Sequence, residues 1–332
     1  MKYGALDIFR LAAAVMVIAI HTAPLESVNG ELDYIFGILI PRVAVPFFFM
    51  VSGQFVDLSR FSAVLKQIKK LAVMYLISIL IYLPLGIYGG HYADITPISA
   101  LKMLLFDGSY YHLWYFPACI IGLMIAYFLR HLPKKAAVIA AAFLYVIGLF
   151  GDSYYGLAEL MPPVSAVYSA LFGVFSYTRN GLFFAPVFLI MGNELGADKR
   201  SASRPELLGG TLLSLALMIT EGMLLWHFDI PRHNSMMVFL IPVMLFLYKL
   251  LLSFSEPPHR FARAALAWVY ILHPAVIAVL HGAAKLIAPL NNSVVFFALT
   301  VILSFAAAFT VEVILIKTGD RIKDTKKLRG KR

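Results

Sequence analysis

Ten apolar stretches, most of them close to 20 residues long, limit what this chain can fold into. About 20 apolar residues in a helix cross the hydrocarbon core of a bilayer. Hydrophobic residues make up 61% of the chain and charged residues only 14%, too few to cover a soluble protein of this size. We therefore predict an all-α polytopic membrane protein with about ten transmembrane helices. The predicted spans lie near residues 5–24, 38–57, 69–89, 112–130, 136–152, 180–193, 207–227, 234–254, 264–285 and 294–317.

The positions of the basic residues predict the orientation in the membrane. Lysine and arginine concentrate in cytosolic loops of membrane proteins. Of the 28 lysines and arginines here, those that fall on the sparser side of the predicted spans are Arg42, Lys102, Arg179, Arg232 and Lys285. Both termini are thus predicted to be cytosolic, in a protein that crosses a bacterial cytoplasmic membrane many times.

The net charge of +10 is consequently explained mainly by topology. A basic surface that also holds a phosphorylated donor is the more specific alternative. Nucleic acid is not an expected partner, because the basic residues are scattered over short loops without a recognition motif. We predict one transmembrane domain at 1–317 and a basic cytosolic tail at 318–332. Two longer loops, 90–111 and 153–179, are predicted to lie on the outer side.

Three ionisable residues occupy one stripe of the first predicted helix. Arg10 and His21 are eleven positions apart, close to three helical turns, and Asp7 falls on nearly the same stripe. The helical rise separates Arg10 from His21 by roughly 16 Å along the axis. Ionisable groups inside a membrane span are costly, so such a stripe indicates function.

The residue types on this stripe suggest complementary roles. His21 is suited to act as a general base or as a transient acyl acceptor. Arg10 forms forked hydrogen bonds to phosphate or carboxylate groups, and Asp7 is placed to hold its guanidinium. The structural alternative is that Arg10 extends to the inner interface and that His21 is a hydrogen-bonded helix end.

The fourth predicted span begins with His112, Trp114 and Tyr115. Aromatic residues at this position are typical of the membrane interface, which gives a structural interpretation. The functional alternative is a wall of an acceptor pocket, in which His112 donates a hydrogen bond to a sugar hydroxyl or an oxyanion.

Two further ionisable residues lie inside predicted spans. Glu221 is about two turns from the outer end of the seventh span, and a buried carboxylate needs a partner or a proton. Arg179 at the outer end of the sixth span is one possible partner, in a substrate-binding or a structural pair. His273 precedes Pro274 near the middle of the ninth span, where catalysis and structure are both open.

Several kinds of site have no sequence support. No HExxH motif and no Cys/His pair at ligand spacing is present, so no metal is expected. Walker and GxGxxG loops are missing, which argues against ATP-driven transport and dinucleotide chemistry. The single cysteine, Cys119, cannot form an intramolecular disulfide.

Four motifs in order resemble the acyltransferase family 3 membrane proteins. They are LDIFRLAAAVMVIAIH in the first helix, VPFFFMVSGQF (Val45 to Phe55), HLWYFP (His112 to Pro117) and YILHPAV (Tyr270 to Val276). The resemblance implies transfer of an acyl group, usually acetyl and not amino-acyl, from cytosolic acyl-CoA to hydroxyls of extracytoplasmic glycans or lipids. It implies His21 as the catalytic histidine and Arg10 as its aid, with acetyl-CoA as donor substrate and no bound cofactor.

The stretch SYTRNGLFFAPVFLIMG (Ser176 to Gly192) resembles the membrane half of vancomycin-resistance serine racemases. Their pyridoxal-phosphate racemase domain has no counterpart in these residues, so racemase activity is not expected from them. The resemblance motivates an alternative, a transporter or binding module for a small amino acid such as serine. A membrane scaffold is a third interpretation. It does not explain why the chain bears the energetic cost of placing Arg10, His21 and Glu221 inside membrane spans. Expected partners are membrane lipid, acyl-CoA and a glycan or envelope acceptor, with a second copy of the chain left open.

Overall fold

The computed structural model describes residues 3–198, 202–257 and 260–329. Within these ranges the chain forms helices and loops, with no strand and one isolated bridge between Tyr3 and Glu256. The all-α prediction is confirmed. The last three residues of the predicted tail, 330–332, lie outside the described residues.

Fourteen α-helices follow one another along the described chain. They are α1 (Gly4–Thr22), α2 (Gly30–Asp33), α3 (Ala44–Phe55), α4 (Phe61–Tyr88), α5 (Pro97–Lys102), α6 (Tyr115–Leu129), α7 (Lys134–Phe150), α8 (Tyr155–Glu159), α9 (Pro162–Val174), α10 (Ala185–Ala197), α11 (Arg204–His227), α12 (Leu240–Leu252), α13 (Arg260–Ala284) and α14 (Ser293–Arg329). Short π-helical turns cover Tyr34–Leu39 and Met103–Asp107, and 3₁₀ turns cover Ile40–Val43 and Ala288–Asn291.

Six helical segments of the described chain are long and apolar enough to cross a membrane. They are Gly4–Thr22, Gly30–Phe55, Phe61–Tyr88, Arg204–His227, Arg263–Ala284 and Ser293–Thr318. The other predicted spans fall on α6, α7, α10 and α12, which have 15, 17, 13 and 13 residues. These helices are shorter than the roughly 20 residues that a full crossing needs. The ten-span topology and the cytosolic placement of both termini therefore stay predictions.

The chain divides into two compact units. Unit 1 contains residues 1–41 and 254–332, and unit 2 contains 42–253. In unit 1, α1 packs against α13 and α14 through small and branched apolar side chains. The centre of this contact is formed by Ala14, Ile18, Leu266, Val269 and Ala308.

In unit 2, α10 is the central helix and packs against α3, α6, α7 and α12. Its contact with α3 is unusually close, because each helix presents a glycine to the backbone of the other. A Cβ on Gly192 would lie 1.9 Å from the Met50 carbonyl oxygen, and one on Gly53 would lie 1.9 Å from that of Leu189. Small residues that let two backbones approach are typical of helix pairs in membranes.

We expect Gly192→Ala to destabilise unit 2, because the new methyl group meets a backbone oxygen that cannot rotate away. Overpacking of this kind costs about 1–3 kcal/mol. The measurement is a thermal melt in detergent with a thiol-reactive dye, which reports exposure of the buried Cys119. Gly209→Ala is the matched control, since nothing lies within 4 Å of its Cβ position and alanine favours helix. Equal melting temperatures for Gly192→Ala and wild type would contradict the close packing.

Candidate active site

One end of α1 carries a buried carboxylate held by two arginines. Asp7 is fully buried and forms an ion pair with Arg10, as the spacing predicted. Arg263 of α13 approaches the same carboxylate, donating from Nε to Oδ1 at 3.1 Å and from Nη2 to Oδ2 at 2.8 Å. Sequence reasoning missed Arg263, because it lies 256 positions from Asp7.

This arrangement leaves one formal positive charge. Two guanidinium groups share a single carboxylate, and 43% of the Arg263 side chain is exposed. The Arg10 side chain, by contrast, is only 9% exposed, so it does not extend to solvent. A charge-assisted hydrogen bond to an incoming phosphate or carboxylate is available at Arg263. This end of α1 is thus suited to receive an anion.

The other end of the α1 stripe holds two stacked imidazoles. The rings of His21 and His273 have centroids 5.5 Å apart and an angle of 24° between their planes. Pro274 has no N–H, so the carbonyl of Tyr270, four residues earlier, lacks its usual helical donor. The Nδ1 of His273 takes that place, at 2.9 Å from the Tyr270 oxygen.

The sequence pair His273-Pro274 therefore fixes the histidine ring. A carbonyl oxygen only accepts hydrogen bonds, so Nδ1 must carry the proton and Nε2 the lone pair. His273 is fully buried, and its orientation is set by the helix that contains it. His21, stacked on this ring, is half-buried in the last turn of α1.

His21 lines a cavity of about 380 Å³ in unit 1. The polar groups around it come from the loop after α1, from the end of α13 and from the start of α14: Glu26, His281, Asn291 and Ser293. Ser293 is tied to the loop by hydrogen bonds to Ser27 and to the Pro24 carbonyl. The cavity thus offers a histidine with hydroxyl, amide and carboxylate groups nearby.

Unit 2 brings together a different set of the predicted residues. The Arg179 guanidinium lies over two rings, 5.1 Å from the centroid of Trp114 and 4.4 Å from that of Tyr177. His112 is buried beside Tyr82, with ring centroids 4.8 Å apart. Tyr115 stacks on Phe49 at 5.0 Å. Trp114 and Arg179 are therefore in contact, whereas His112 and Tyr115 pack against other aromatic side chains.

The predicted pairing of Glu221 with Arg179 is wrong. Glu221 accepts hydrogen bonds from the Tyr154 hydroxyl at 2.7 Å and from the backbone N–H groups of Val238 and Phe239 at 2.7 and 2.9 Å. Arg179 instead makes a long hydrogen bond of 3.4 Å to the Ser235 hydroxyl and lies over the ring of Tyr177. Backbone donors before α12 satisfy the Glu221 carboxylate, which forms no ion pair within the described chain.

Two further polar side chains hold the same segment. Asp152 is fully buried and accepts from the N–H groups of Ser235 and Met236 at 2.6 and 2.9 Å. The Tyr145 hydroxyl meets both the N–H and the carbonyl of Met237. Together with Glu221, these side chains satisfy five consecutive backbone N–H groups, 235–239. Sequence reasoning missed Asp152 and Tyr145, although a buried acidic residue at the end of an apolar stretch is a usable signal.

A family model described as an acyltransferase domain (Acyl_transf_3) matches residues 3–313. The chain belongs to this acyltransferase family. The recognition made from the four sequence motifs is confirmed, and the helices described above are those of a membrane acyltransferase family member. Among the described residues, no three His, Cys, Asp or Glu side chains form a group that would hold a metal ion.

Curated relatives of this acyltransferase family member carry other names. An amino-acid racemase of Enterococcus faecalis is 38% identical over 324 residues, covering 93% of this chain and 46% of the relative. A serine/alanine racemase of Enterococcus gallinarum is 39% identical over 319 residues, covering 92% and 45%. The chain thus spans less than half the length of these relatives. No solved structure matches it.

His233 gives this unit a pH dependence. Burial, reinforced by the charges of Arg179, Arg232 and Arg42, lowers the pKa of His233 to about 4. Its ring lies 4.6 Å from that of Tyr177. In the unfolded chain a histidine titrates near 6.5. Between these two values the unfolded chain binds more protons, so acidification favours unfolding.

We expect the melting temperature to fall as the pH is lowered from 7 to about 5, and this fall to be smaller in His233→Asn. Neutral His233 makes its full contribution to the free energy of unfolding above pH 6.5. This contribution is lost progressively as the pH falls towards 4. Thermal melts across this range measure the effect. His131→Asn, at an exposed position, is the control and should keep the wild-type pH profile. Identical profiles for His233→Asn and wild type would contradict the assignment.

Proposed function

We propose that this chain is an integral membrane O-acyltransferase of the bacterial cytoplasmic membrane. It would move an acyl group, most simply acetyl, from cytosolic acyl-CoA to a hydroxyl of an extracytoplasmic glycan or other cell-envelope acceptor. The observation that carries the proposal is a single helix with a histidine beside a polar cavity at one end and a cationic cluster at the other. Family membership supports acyl transfer as the type of reaction.

His21 is proposed as the catalytic group. Its neutral imidazole takes the proton of the acceptor hydroxyl while that oxygen attacks the thioester carbonyl. The carbon–sulfur bond then breaks, and the imidazolium returns the proton to the departing CoA thiolate. In the second route, a His21 ring nitrogen attacks the thioester carbonyl and displaces the CoA thiolate, and the acyl-imidazole then transfers the acyl group to the hydroxyl, whose proton goes to the thiolate. Both routes need a ring nitrogen aimed at the cavity.

His273 is proposed as a positioning residue. Its ring is fixed by the Tyr270 carbonyl and stacks on His21, so it restricts the orientations open to the catalytic ring. Restricting a catalytic group to its productive orientation lowers the entropic part of the barrier. Loss of His273 should therefore reduce kcat more than it changes KM.

The cationic cluster is proposed to hold the donor. Arg10 and Arg263 share Asp7, and the remaining charge suits a phosphate of CoA or the thioester oxygen. Arg10 is roughly 16 Å from His21 along the helix. The pantetheine arm of CoA is slender enough to follow such a path, while its nucleotide stays outside. Of the acceptor residues proposed from sequence, Trp114 and Arg179 remain the best supported, because they contact each other.

We expect His21→Ala to abolish acyl transfer and Arg263→Gln to raise the KM for acyl-CoA. The loss of one charged hydrogen bond predicts a KM change of about tenfold or more. The assay uses purified protein in proteoliposomes loaded with radiolabelled acetyl-CoA. The assay measures the radiolabel that is transferred to the protein, to water or to an added glycan.

His131→Ala serves as the matched histidine control, because that side chain is exposed and should leave transfer intact. Melting temperatures of all variants separate loss of chemistry from loss of fold. Turnover by His21→Ala at the wild-type rate would exclude His21 as base or carrier. A wild-type protein that neither binds nor turns over acyl-CoA would overturn the whole proposal.

The names of the relatives favour a second candidate, a transporter or binding module for a small amino acid. One of the relatives described above is named an amino-acid racemase, and the other is named a serine/alanine racemase. This candidate predicts movement of labelled serine into proteoliposomes that needs no acyl-CoA and survives His21→Ala. No serine movement, together with transfer of label from acetyl-CoA, would exclude it.

A further inference from the structure

Unit 2 contains a second cavity, of about 400 Å³, at the ends of its helices. Its polar lining comes from α5, from the segment that follows it and from the loop between α9 and α10, and consists of Ser99, Lys102, Asp107, Tyr111, Ser176, Tyr177 and Arg179. The volume is in the range of pockets that enclose small molecules. Two cations, one carboxylate, two aliphatic hydroxyls and two tyrosines therefore face one half-open space.

The hydrogen-bonding capacity of Arg179 is largely unused within the described chain. A guanidinium has five N–H donors, but Arg179 uses them only for a long hydrogen bond of 3.4 Å to Ser235 and an interaction with the side chain of Tyr177, and its buried Nε has no hydrogen-bond partner within the described chain. The rings of Trp114 and Tyr177 cover its faces. What remains open is the edge of the group, where its N–H donors lie. Arg179 is half-buried and the carboxylates of Asp152 and Asp107 stabilise its charge from a distance, but its N–H donors lack a close oxygen partner, so this geometry suits a bound oxyanion.

The other charged groups in the lining are already engaged. Asp107 accepts hydrogen bonds from the N–H and the hydroxyl of Ser176 at 2.9 and 2.8 Å. Lys102 donates to the Phe172 carbonyl at 3.0 Å and keeps further donors. With Arg179 and Lys102 against Asp107, the lining carries one net positive charge. That balance matches a singly charged carboxylate better than a doubly charged phosphate.

We propose that this cavity binds the carboxylate of a small hydroxylated molecule, with the carboxylate on the edge of Arg179. The hydroxyl of Ser99 and the ring of Tyr177 would contact the rest of the molecule. Sugar acids and hydroxylated amino acids share this chemistry. Trp114 and Arg179 are also acceptor residues in the proposed function, but carboxylate binding itself needs no donor and no turnover, so it can be tested separately.

The test is ligand binding to purified protein in detergent without acyl-CoA. Trp114 contacts Arg179, so a variant with Trp226→Phe and Trp268→Phe keeps it as the single fluorescent reporter. D-glucuronate is compared with D-glucose, and L-serine with ethanolamine, so that each pair differs by its carboxylate. Equilibrium dialysis with labelled D-glucuronate and L-serine gives a second readout that does not need a fluorescence change.

We expect at least one carboxylate to bind about tenfold or more tightly than its partner lacking the carboxylate, and Arg179→Gln to remove that preference. Arg232→Gln is the matched control, because that guanidinium lies 3.4 Å from the Phe172 ring centroid and does not line the cavity. A preference for D-glucuronate over D-glucose identifies the ligand as a sugar acid. A preference for L-serine over ethanolamine identifies it as an amino acid.

Three outcomes would overturn the proposal. One is equal binding within both pairs by both readouts. Another is retention of carboxylate binding in a folded Arg179→Gln protein. The third is a clear preference for D-glucose 6-phosphate over D-glucuronate, which would make the site a phosphate site.

Discussion

Backbone N–H groups outside a helix need hydrogen-bond acceptors when their surroundings are apolar. This requirement determines how the segment before α12 packs in unit 2. The segment before α12 exposes five consecutive N–H groups, and the side chains of Asp152, Tyr145 and Glu221 accept from all of them. Non-helical backbone at membrane depth is tolerated only where protein or trapped water satisfies it. Carboxylates serve well, because each has two oxygens and accepts several bonds. The same segment carries Ser235 and follows His233, so its position also sets the surroundings of Arg179.

This requirement explains why the sequence predicted some contacts and not others. Asp7 and Arg10 are three positions apart on one helix, so helical geometry alone predicts their ion pair. Arg263 reaches Asp7 across 256 positions, and nothing local announces it. Arg179 is a reasonable candidate partner for Glu221 from the sequence, because a buried carboxylate needs a partner or a proton. The backbone N–H groups that donate to Glu221 have no sequence signature, so the sequence could not predict them as its partners.

Helix positions were easier to predict than helix lengths. Each of the ten apolar stretches falls on a helix, because apolar composition is a local property. The lengths depend on neighbours: α10 has 13 residues and lies among four other helices, while α4 has 28 residues. A central helix is covered by protein, so its length need not match the bilayer. The cavity at Arg179 could not be predicted either, because it is formed by segments that are far apart in the sequence.

Asp7, Arg10 and Arg263 also have a consequence for biogenesis. Asp7 and Arg10 lie on the same helix, α1, and they neutralise each other without help from any later residue. Helix α1 can thus enter the membrane without a net charge from this pair. Arg263 arrives more than 250 residues later and restores a positive charge only when α13 docks. The order of synthesis therefore separates insertion, which needs neutrality, from assembly, which creates the cationic site.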